Sequence, residues 1–113
     1  METTITKESI KIYVKNQLSY DELWATKALL KIFDFQTYEE KMYENTEIDN
    51  GIGFTGADAK ILSSFAKQYK SRGFLSHKQM YILHKRIPKY WNQIINISDE
   101  EKLKIMVAKT LIS

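Results

Sequence analysis

The sequence predicts a mainly α fold: a small, single-domain bundle of four to five helices that includes a helix-turn-helix-like pair. Its 113 residues suffice for one core, and 43% hydrophobic with 27% charged residues is the balance of a folded globular protein. Apolar residues recur at helical spacing, and capping boxes mark several helix starts. We therefore expect one helical domain over 1–113, with an N-terminal strand or arm (1–17), a core (18–97) and a C-terminal helix (98–113).

The N-terminal segment has the pattern of a short strand. Ile10–Lys15 alternates apolar and polar residues and is rich in β-branched side chains, which favours a short strand. Because no second strand is evident, a helical turn or a docking arm stays open as an alternative.

Ser19 and Glu22 have the spacing of a capping box, so we expect the first long helix to begin there. Its apolar positions follow one helical stripe: Leu23, Trp24, Ala28, Leu29, Ile32 and Phe33.

A glycine-rich stretch, Gly51–Gly56, reads GxGxxG and precedes a predicted helix. The dinucleotide-binding fingerprint also needs a buried strand before it and an acidic residue about 20 positions later, and both are missing. No Gly-Lys-Ser/Thr follows, so the stretch is not a phosphate-binding P-loop either. We interpret Gly51, Gly53 and Gly56 as a structural turn, with Thr55 as the cap of the next helix.

Two helices joined by a glycine turn follow this stretch. The first extends from about Ala57 to Arg72, and Gly73 lies where a left-handed C-cap is expected. Ser76 and Gln79 form a second capping box, so a further helix begins there. The order of helix, short turn and helix is typical of a helix-turn-helix. Pro88 then predicts a kink or a helix restart, and Ser98–Glu101 is the capping box of the terminal helix.

Charge is distributed unevenly along the chain. The net charge is +3, but residues 1–50 carry −4 and residues 51–113 carry +7. Eight basic residues and no acidic residue lie between Lys60 and Gln93, which is typical of a surface that binds a polyanion. A solvated lysine-rich helical face is the alternative. The predicted nucleic-acid-binding residues are Lys67, Lys70, Arg72, Lys78, Tyr81, Lys85, Arg86, Lys89, Tyr90 and Trp91.

Aromatic residues within this basic segment favour single-stranded DNA over a duplex. Tyr81, Tyr90 and Trp91 offer rings on which unpaired bases could stack, with about 1–3 kcal/mol for each base. The alternative is that Tyr90 and Trp91 belong to the core.

Catalytic and metal-binding patterns are missing from the sequence. There is no cysteine, and His77 and His84 are seven residues apart, too far for an i,i+4 chelating pair. We expect no enzymatic activity, no metal, no cofactor and no small-molecule substrate. No apolar run approaches the roughly 20 residues of a membrane span, and no signal peptide is evident, which predicts a cytoplasmic protein.

The pattern of residues over roughly 18–97 resembles a small protein family encoded near replication genes in phages and other mobile elements, including the staphylococcal cassette. The resemblance rests on Trp24, Ala28–Leu30, Gln36-Thr37, Glu39-Glu40, Thr46, Asn50–Phe54, Gly56, Asp58-Ala59, Leu62–Ser64, Leu75-Ser76, Lys78-Gln79, Lys89-Tyr90 and Gln93. It implies a bacterial, non-catalytic accessory subunit that binds an A-family DNA polymerase and single-stranded or primer–template DNA, and that supports primer synthesis.

Two hypotheses of function follow. In the first, the basic segment binds DNA, and an apolar surface from Tyr13, Phe35 or the terminal helix binds the polymerase. In the second, the chain is a protein-interaction module, for example a phage-type inhibitor of a host factor, and its lysines serve only solubility.

Overall fold

The computed structural model describes residues 6–43, 53–98 and 100–112, with side chains over 6–36, 53–98 and 102–109. In chain order the elements are α1 (Lys7–Tyr20), α2 (Glu22–Tyr43), α3 (Gly56–Arg72), α4 (His77–Arg86), a 3₁₀ turn (Ile87–Tyr90), α5 (Trp91–Ile97) and α6 (Glu100–Ile112). Because α4, the 3₁₀ turn and α5 follow one another without a break, they count as one bent helix, which gives five helices within the described residues. The predicted mainly α bundle is therefore confirmed.

The N-terminal segment is a helix from Lys7 onward, so the strand predicted within 1–17 is wrong for the described residues, and the helical alternative holds. Thr6 caps α1, since its hydroxyl accepts a hydrogen bond from the Ser9 amide at 3.1 Å. Ile10, Val14 and Leu18 are four residues apart and all buried. They pack α1 against α2, α5 and α6. The alternation within Ile10–Lys15 is a short window on this longer helical pattern.

The cap of α2 lies two residues beyond Ser19, the cap predicted from the sequence. The Asp21 carboxylate accepts a hydrogen bond from the Trp24 amide at 3.1 Å, which makes Asp21 the cap. Ser19 is still inside α1, where its hydroxyl donates to the Lys15 carbonyl at 2.7 Å. Since the chain passes from α1 to α2 through one extended residue, the two helices share Asp21.

The connection between α3 and α4 matches the sequence-based prediction. Gly73 has a left-handed φ of 82°, and its amide donates to the Tyr69 carbonyl at 2.7 Å. Ser76 and Gln79 form the predicted capping box, at 3.1 and 2.9 Å. The side-chain amides of Gln68 and Gln79 also exchange two hydrogen bonds of 2.8 Å, which fix α4 against α3.

Pro88 marks the bend between α4 and α5. It lies in the first turn of the 3₁₀ segment, where a missing amide proton costs no helical hydrogen bond. The predicted capping box Ser98–Glu101 includes Asp99, which lies outside the described residues, and α6 begins at Glu100.

One apolar core holds the described helices together. α1 contributes Ile10, Val14 and Leu18, and the other buried apolar residues are Ala25, Ala28, Leu29, Ile32, Leu62, Phe65, Ala66, Leu83, Ile87, Tyr90, Ile94, Leu103 and Val107. None of the described helices is both long and apolar enough to span a membrane.

Candidate nucleic-acid interface

The outer face of α4 presents two lysines and a tyrosine side by side. Lys78, Tyr81 and Lys85 are exposed, and at 100° per residue they fall within an arc of about 60°. Leu83 and Ile87 point to the opposite side, into the core. The Lys85 ammonium lies 4.6 Å from the centroid of the Tyr81 ring. The amphipathic spacing of α4 therefore brings together a cation and an exposed aromatic ring.

The end of α3 adds further positive charge. Lys67, Lys70 and Arg72 are all exposed. Lys70 forms an ion pair with Asp34 of α2, and its ammonium lies 5.4 Å from the centroid of the Phe33 ring. Because its charge is already matched, Lys70 offers less to a polyanion than Lys67 or Arg72, which form no ion pair with a described carboxylate.

Asp58 on α3 is a fully buried carboxylate and the centre of a polar cluster. The Arg86 guanidinium donates to its Oδ1 at 2.6 Å, and the Tyr90 hydroxyl donates to its Oδ2 at 2.7 Å. Lys89 forms an ion pair with the same Oδ2. Two cations and a phenol thus compensate one buried negative charge, as a buried carboxylate requires.

The pKa values of this cluster follow from burial and from its hydrogen bonds. Burial by itself raises the pKa of Asp58, but hydrogen bonds from Lys89, Tyr90 and Arg86 outweigh it and lower that pKa from 3.8 to about 2. Burial raises the pKa of Tyr90, and the neighbouring Asp58 carboxylate raises it further. Asp58 is therefore charged and Tyr90 is neutral at physiological pH.

Three of the predicted nucleic-acid-binding residues lie in this cluster, and the predicted base-stacking role of Tyr90 is wrong. Its side chain is only 1% exposed, so no base can reach the ring. Arg86 and Lys89 lie at the surface, but both form ion pairs with Asp58. These ion pairs account for the two cations without a role in DNA binding. Trp91 is half-buried against the core, and the Lys11 ammonium lies 4.9 Å from the centroid of its ring.

The residues before α3 are held by long-range hydrogen bonds. The Gly53 amide donates to Gln93 at 2.9 Å, and the Gln93 amide donates back to the Gly53 carbonyl at 3.1 Å. The Phe54 amide donates to Gln36 at 2.9 Å, and the Thr55 amide donates to Tyr90 at 3.0 Å. This segment, residues 53–55, is called the elbow below.

Two of the three glycines of the GxGxxG stretch lie within the described residues. Gly53 has a φ of 151°, and a Cβ there would come within 3.0 Å of Gln36 Oε1, so the elbow requires glycine at this position. Gly56 is the first residue of α3, and a Cβ there would meet nothing within 4 Å. The backbone at Gly56 therefore does not require a glycine, unlike the turn predicted there. Gly51 lies outside the described residues.

Sequence reasoning missed the roles of Asp58, Gln36 and Gln93. Thr55 was predicted to cap α3, yet it makes no side-chain cap hydrogen bond, and its hydroxyl lies 3.4 Å from the Asp58 carboxylate instead. A signal for Asp58 exists in the sequence, because it is the last acidic residue before eight basic ones. Its partners are 28 to 32 residues away, beyond the range of any helical spacing rule.

The described residues contain no group of three His, Cys, Asp or Glu side chains that could hold a metal ion. His84 Nδ1 lies 2.9 Å from the Leu18 carbonyl oxygen, which anchors α4 to α1, and His77 is exposed in the first turn of α4.

Fold and site together define a small helical protein in which α3 and α4 are joined by a short turn. The outer face of α4 is basic and carries an exposed aromatic ring. No protein-family model, no curated protein and no solved structure matches the chain.

Proposed function

We propose that this chain is a non-catalytic accessory subunit of a mobile-element DNA replication system, which binds single-stranded or primer–template DNA and a partner DNA polymerase of the A family. The observation that supports DNA binding is the outer face of α4, formed by Lys78, Tyr81 and Lys85. The polymerase and the mobile element enter through the resemblance described above.

The chemistry of this face suits a single strand. The Tyr81 side chain is 60% exposed, and a base that stacks on it brings its phosphate close to Lys85, at 4.6 Å from the ring. Lys78 lies one turn earlier on the same face and can contact the next phosphate. Stacking on a tyrosine needs an unpaired base, whereas a duplex offers mainly phosphates to such a face.

Cations outside the Asp58 cluster supply the remaining electrostatic attraction. Of the eight basic residues between Lys60 and Gln93, three form ion pairs with described carboxylates: Lys70, Arg86 and Lys89. The other five are Lys60, Lys67, Arg72, Lys78 and Lys85. Two of these lie on the outer face of α4, so DNA affinity depends on α4 more than on the Asp58 cluster.

The contribution of Tyr81 provides the test. Fluorescence anisotropy measures binding of a labelled oligothymidine to the wild type, to Tyr81→Ala and to the control Tyr20→Ala, whose tyrosine is 83% exposed on α1. Loss of one stacked base weakens binding about tenfold for Tyr81→Ala. Tyr20→Ala binds like the wild type. Equal affinity of all three proteins, or no binding at low salt, contradicts the proposal.

A second candidate function is a protein-interaction module that does not bind DNA. The observation that favours it is the exposure of large apolar side chains on α2 and α6, among them Leu23 and Ile105. The same anisotropy measurement separates the two candidates, since a pure interaction module shows no salt-sensitive binding of the oligonucleotide.

A further inference from the structure

A groove between α2 and α6 combines an apolar lining with lysines, and no α4 residue is among its described lining residues. The α2–α6 groove is lined by Leu23, Trp24, Lys27 and Lys31 of α2 and by Lys102 and Met106 of α6, and its volume is about 340 Å³. The α2 wall extends over the nine residues from Leu23 to Lys31, or about 12 Å, which is slightly more than two helical turns. No acidic residue is found among its described lining residues.

Part of the apolar lining is open to solvent, whereas Ala28, Ile94 and Leu103 of the same lining are buried. Leu23 is 59% exposed and Met106 is 39% exposed, although Leu23 occupies a position of the apolar stripe predicted from the sequence. Trp24 is half-buried, and its ring packs edge to face on Tyr13 at 5.8 Å. Exposed apolar side chains around a groove of helical length are typical of a helix-binding site.

Charge selects the kind of helix that fits. Lys27 and Lys31 are exposed, lie one turn apart on the α2 wall, and form no ion pair with a described carboxylate. Lys102 adds positive charge to the opposite wall. Against these walls a helix with carboxylates on its flanks gains attraction, and a basic helix is repelled. A second copy of this chain would place lysine against lysine across a two-fold axis.

We propose that the α2–α6 groove binds an acidic amphipathic helix of a partner protein, with two apolar anchors one turn apart and carboxylates on both flanks. The proposal rests on the protein-binding half of the proposed function and specifies its surface. Nucleic acid is a poorer occupant, because Leu23 and Met106 give phosphates nothing to bind and the Trp24 ring is already packed on Tyr13.

Two labelled helical peptides of about 16 residues test the proposal. Both carry leucines at i and i+4, and one has glutamates on its flanks where the other has lysines. The wild type binds the glutamate peptide with a Kd of about 10 μM and binds the lysine peptide at least tenfold more weakly. Equal binding of both peptides, or no binding of the glutamate peptide at about 1 mM, overturns the proposal.

Charge reversal locates the binding site. The Lys27→Glu/Lys31→Glu variant loses at least tenfold in affinity for the glutamate peptide and gains affinity for the lysine peptide. The matched control, Lys7→Glu/Lys15→Glu, changes two exposed lysines of α1 and has the same net charge. An equal loss in both variants overturns the proposal. Leu23→Asn lowers the affinity for the glutamate peptide about tenfold. Ile12→Asn, at a residue 53% exposed on α1, leaves that affinity unchanged.

Other occupants give distinct results that also overturn the proposal. A concentration-dependent dimer that Leu23→Asn dissociates indicates a second copy of the chain. If peptide binding becomes tenfold tighter after Glu44, Glu47 and Asp49 are changed to Ser, the chain's own acidic residues occupy the groove. If the Lys27→Glu/Lys31→Glu variant loses oligothymidine binding and the Lys7→Glu/Lys15→Glu control keeps it, the groove binds nucleic acid.

The same variants separate this proposal from the proposed DNA-binding function. If the α4 face binds DNA and the peptides fail, only the groove assignment is wrong. If the glutamate peptide binds as expected and oligothymidine does not bind, only the DNA-binding assignment is wrong.

Discussion

Tyr90 donates its phenolic hydrogen to the buried Asp58 carboxylate at 2.7 Å, across 32 residues of sequence. The same hydroxyl accepts a hydrogen bond from the Thr55 amide at 3.0 Å. One phenol therefore joins the elbow, the first turn of α3 and the bend after α4. Because α4 leads directly into this bend, the Asp58 cluster fixes where Lys78, Tyr81 and Lys85 face solvent.

Removal of the Tyr90 hydroxyl tests this role. Tyr90→Phe keeps the buried ring but leaves the Thr55 amide without its acceptor and Asp58 with one donor fewer. We expect the free energy of unfolding to fall by about 1–3 kcal/mol, measured by urea denaturation. The control Tyr20→Phe, at an exposed position, stays within about 0.5 kcal/mol of the wild type. A free energy of unfolding for Tyr90→Phe equal to that of the wild type would contradict a structural role for the hydroxyl.

The lowered pKa of Asp58 predicts a loss of stability in acid. The folded pKa is about 2 and the ordinary value is 3.8, so the stabilisation is present above pH 3.8 and is lost as pH falls through 2. Its size is roughly 2 kcal/mol. Asp58→Asn lacks this contribution, so its deficit relative to the wild type shrinks over the same pH range. Denaturation curves from pH 6 to about 2 measure it, and a constant deficit would contradict the assignment.

The turn between α3 and α4 depends on the left-handed backbone of Gly73. Gly73→Ala places a Cβ at a φ of 82° and is expected to destabilise the protein by about 1 kcal/mol. Gly56→Ala is the matched control, since a Cβ at this first helical residue meets nothing within 4 Å. We expect that control to be neutral or slightly stabilising in thermal unfolding. The reverse order of the two variants would refute the role of Gly73.

Helix α1 belongs to the core, so its buried face carries much of the stability. Leu18→Ala empties a fully buried site and is expected to cost about 2–5 kcal/mol. Ile12→Ala, on the exposed face of the same helix, is expected to cost less than about 0.5 kcal/mol. Urea denaturation of both variants measures the difference. Similar small losses would show that α1 is a detachable arm, the alternative that the sequence left open.

Local chemistry explains which parts of the fold could be predicted. The Gly73 C-cap and the Ser76/Gln79 capping box involve residues within four positions of each other, and both were predicted correctly. At Ser19 and Asp21 two possible caps lie two residues apart, and only the length of α1 decides between them. For Ile10–Lys15, six residues are too few to distinguish a period of 2 from one of 3.6.

The candidate site was predictable only in part, for the same reason. Lys78, Tyr81 and Lys85 are at helical spacing among the predicted nucleic-acid-binding residues, and the structure shows them exposed on one face of α4. Spacing could not show that Asp58, 32 residues earlier, takes Tyr90 into the core. A basic residue in a sequence looks the same whether its partner is solvent, a phosphate or a distant buried carboxylate.

The central claim is that the outer face of α4 binds the phosphates of a single strand, and the salt dependence of oligothymidine binding tests it most directly. Each phosphate contact on a single strand contributes about −0.7 to the slope of log K against log salt concentration. Lys78→Ala/Lys85→Ala is therefore predicted to reduce the steepness of that slope by about 1.4, while the control Lys7→Ala/Lys15→Ala keeps the wild-type slope. Identical slopes for the two double variants would contradict the claim.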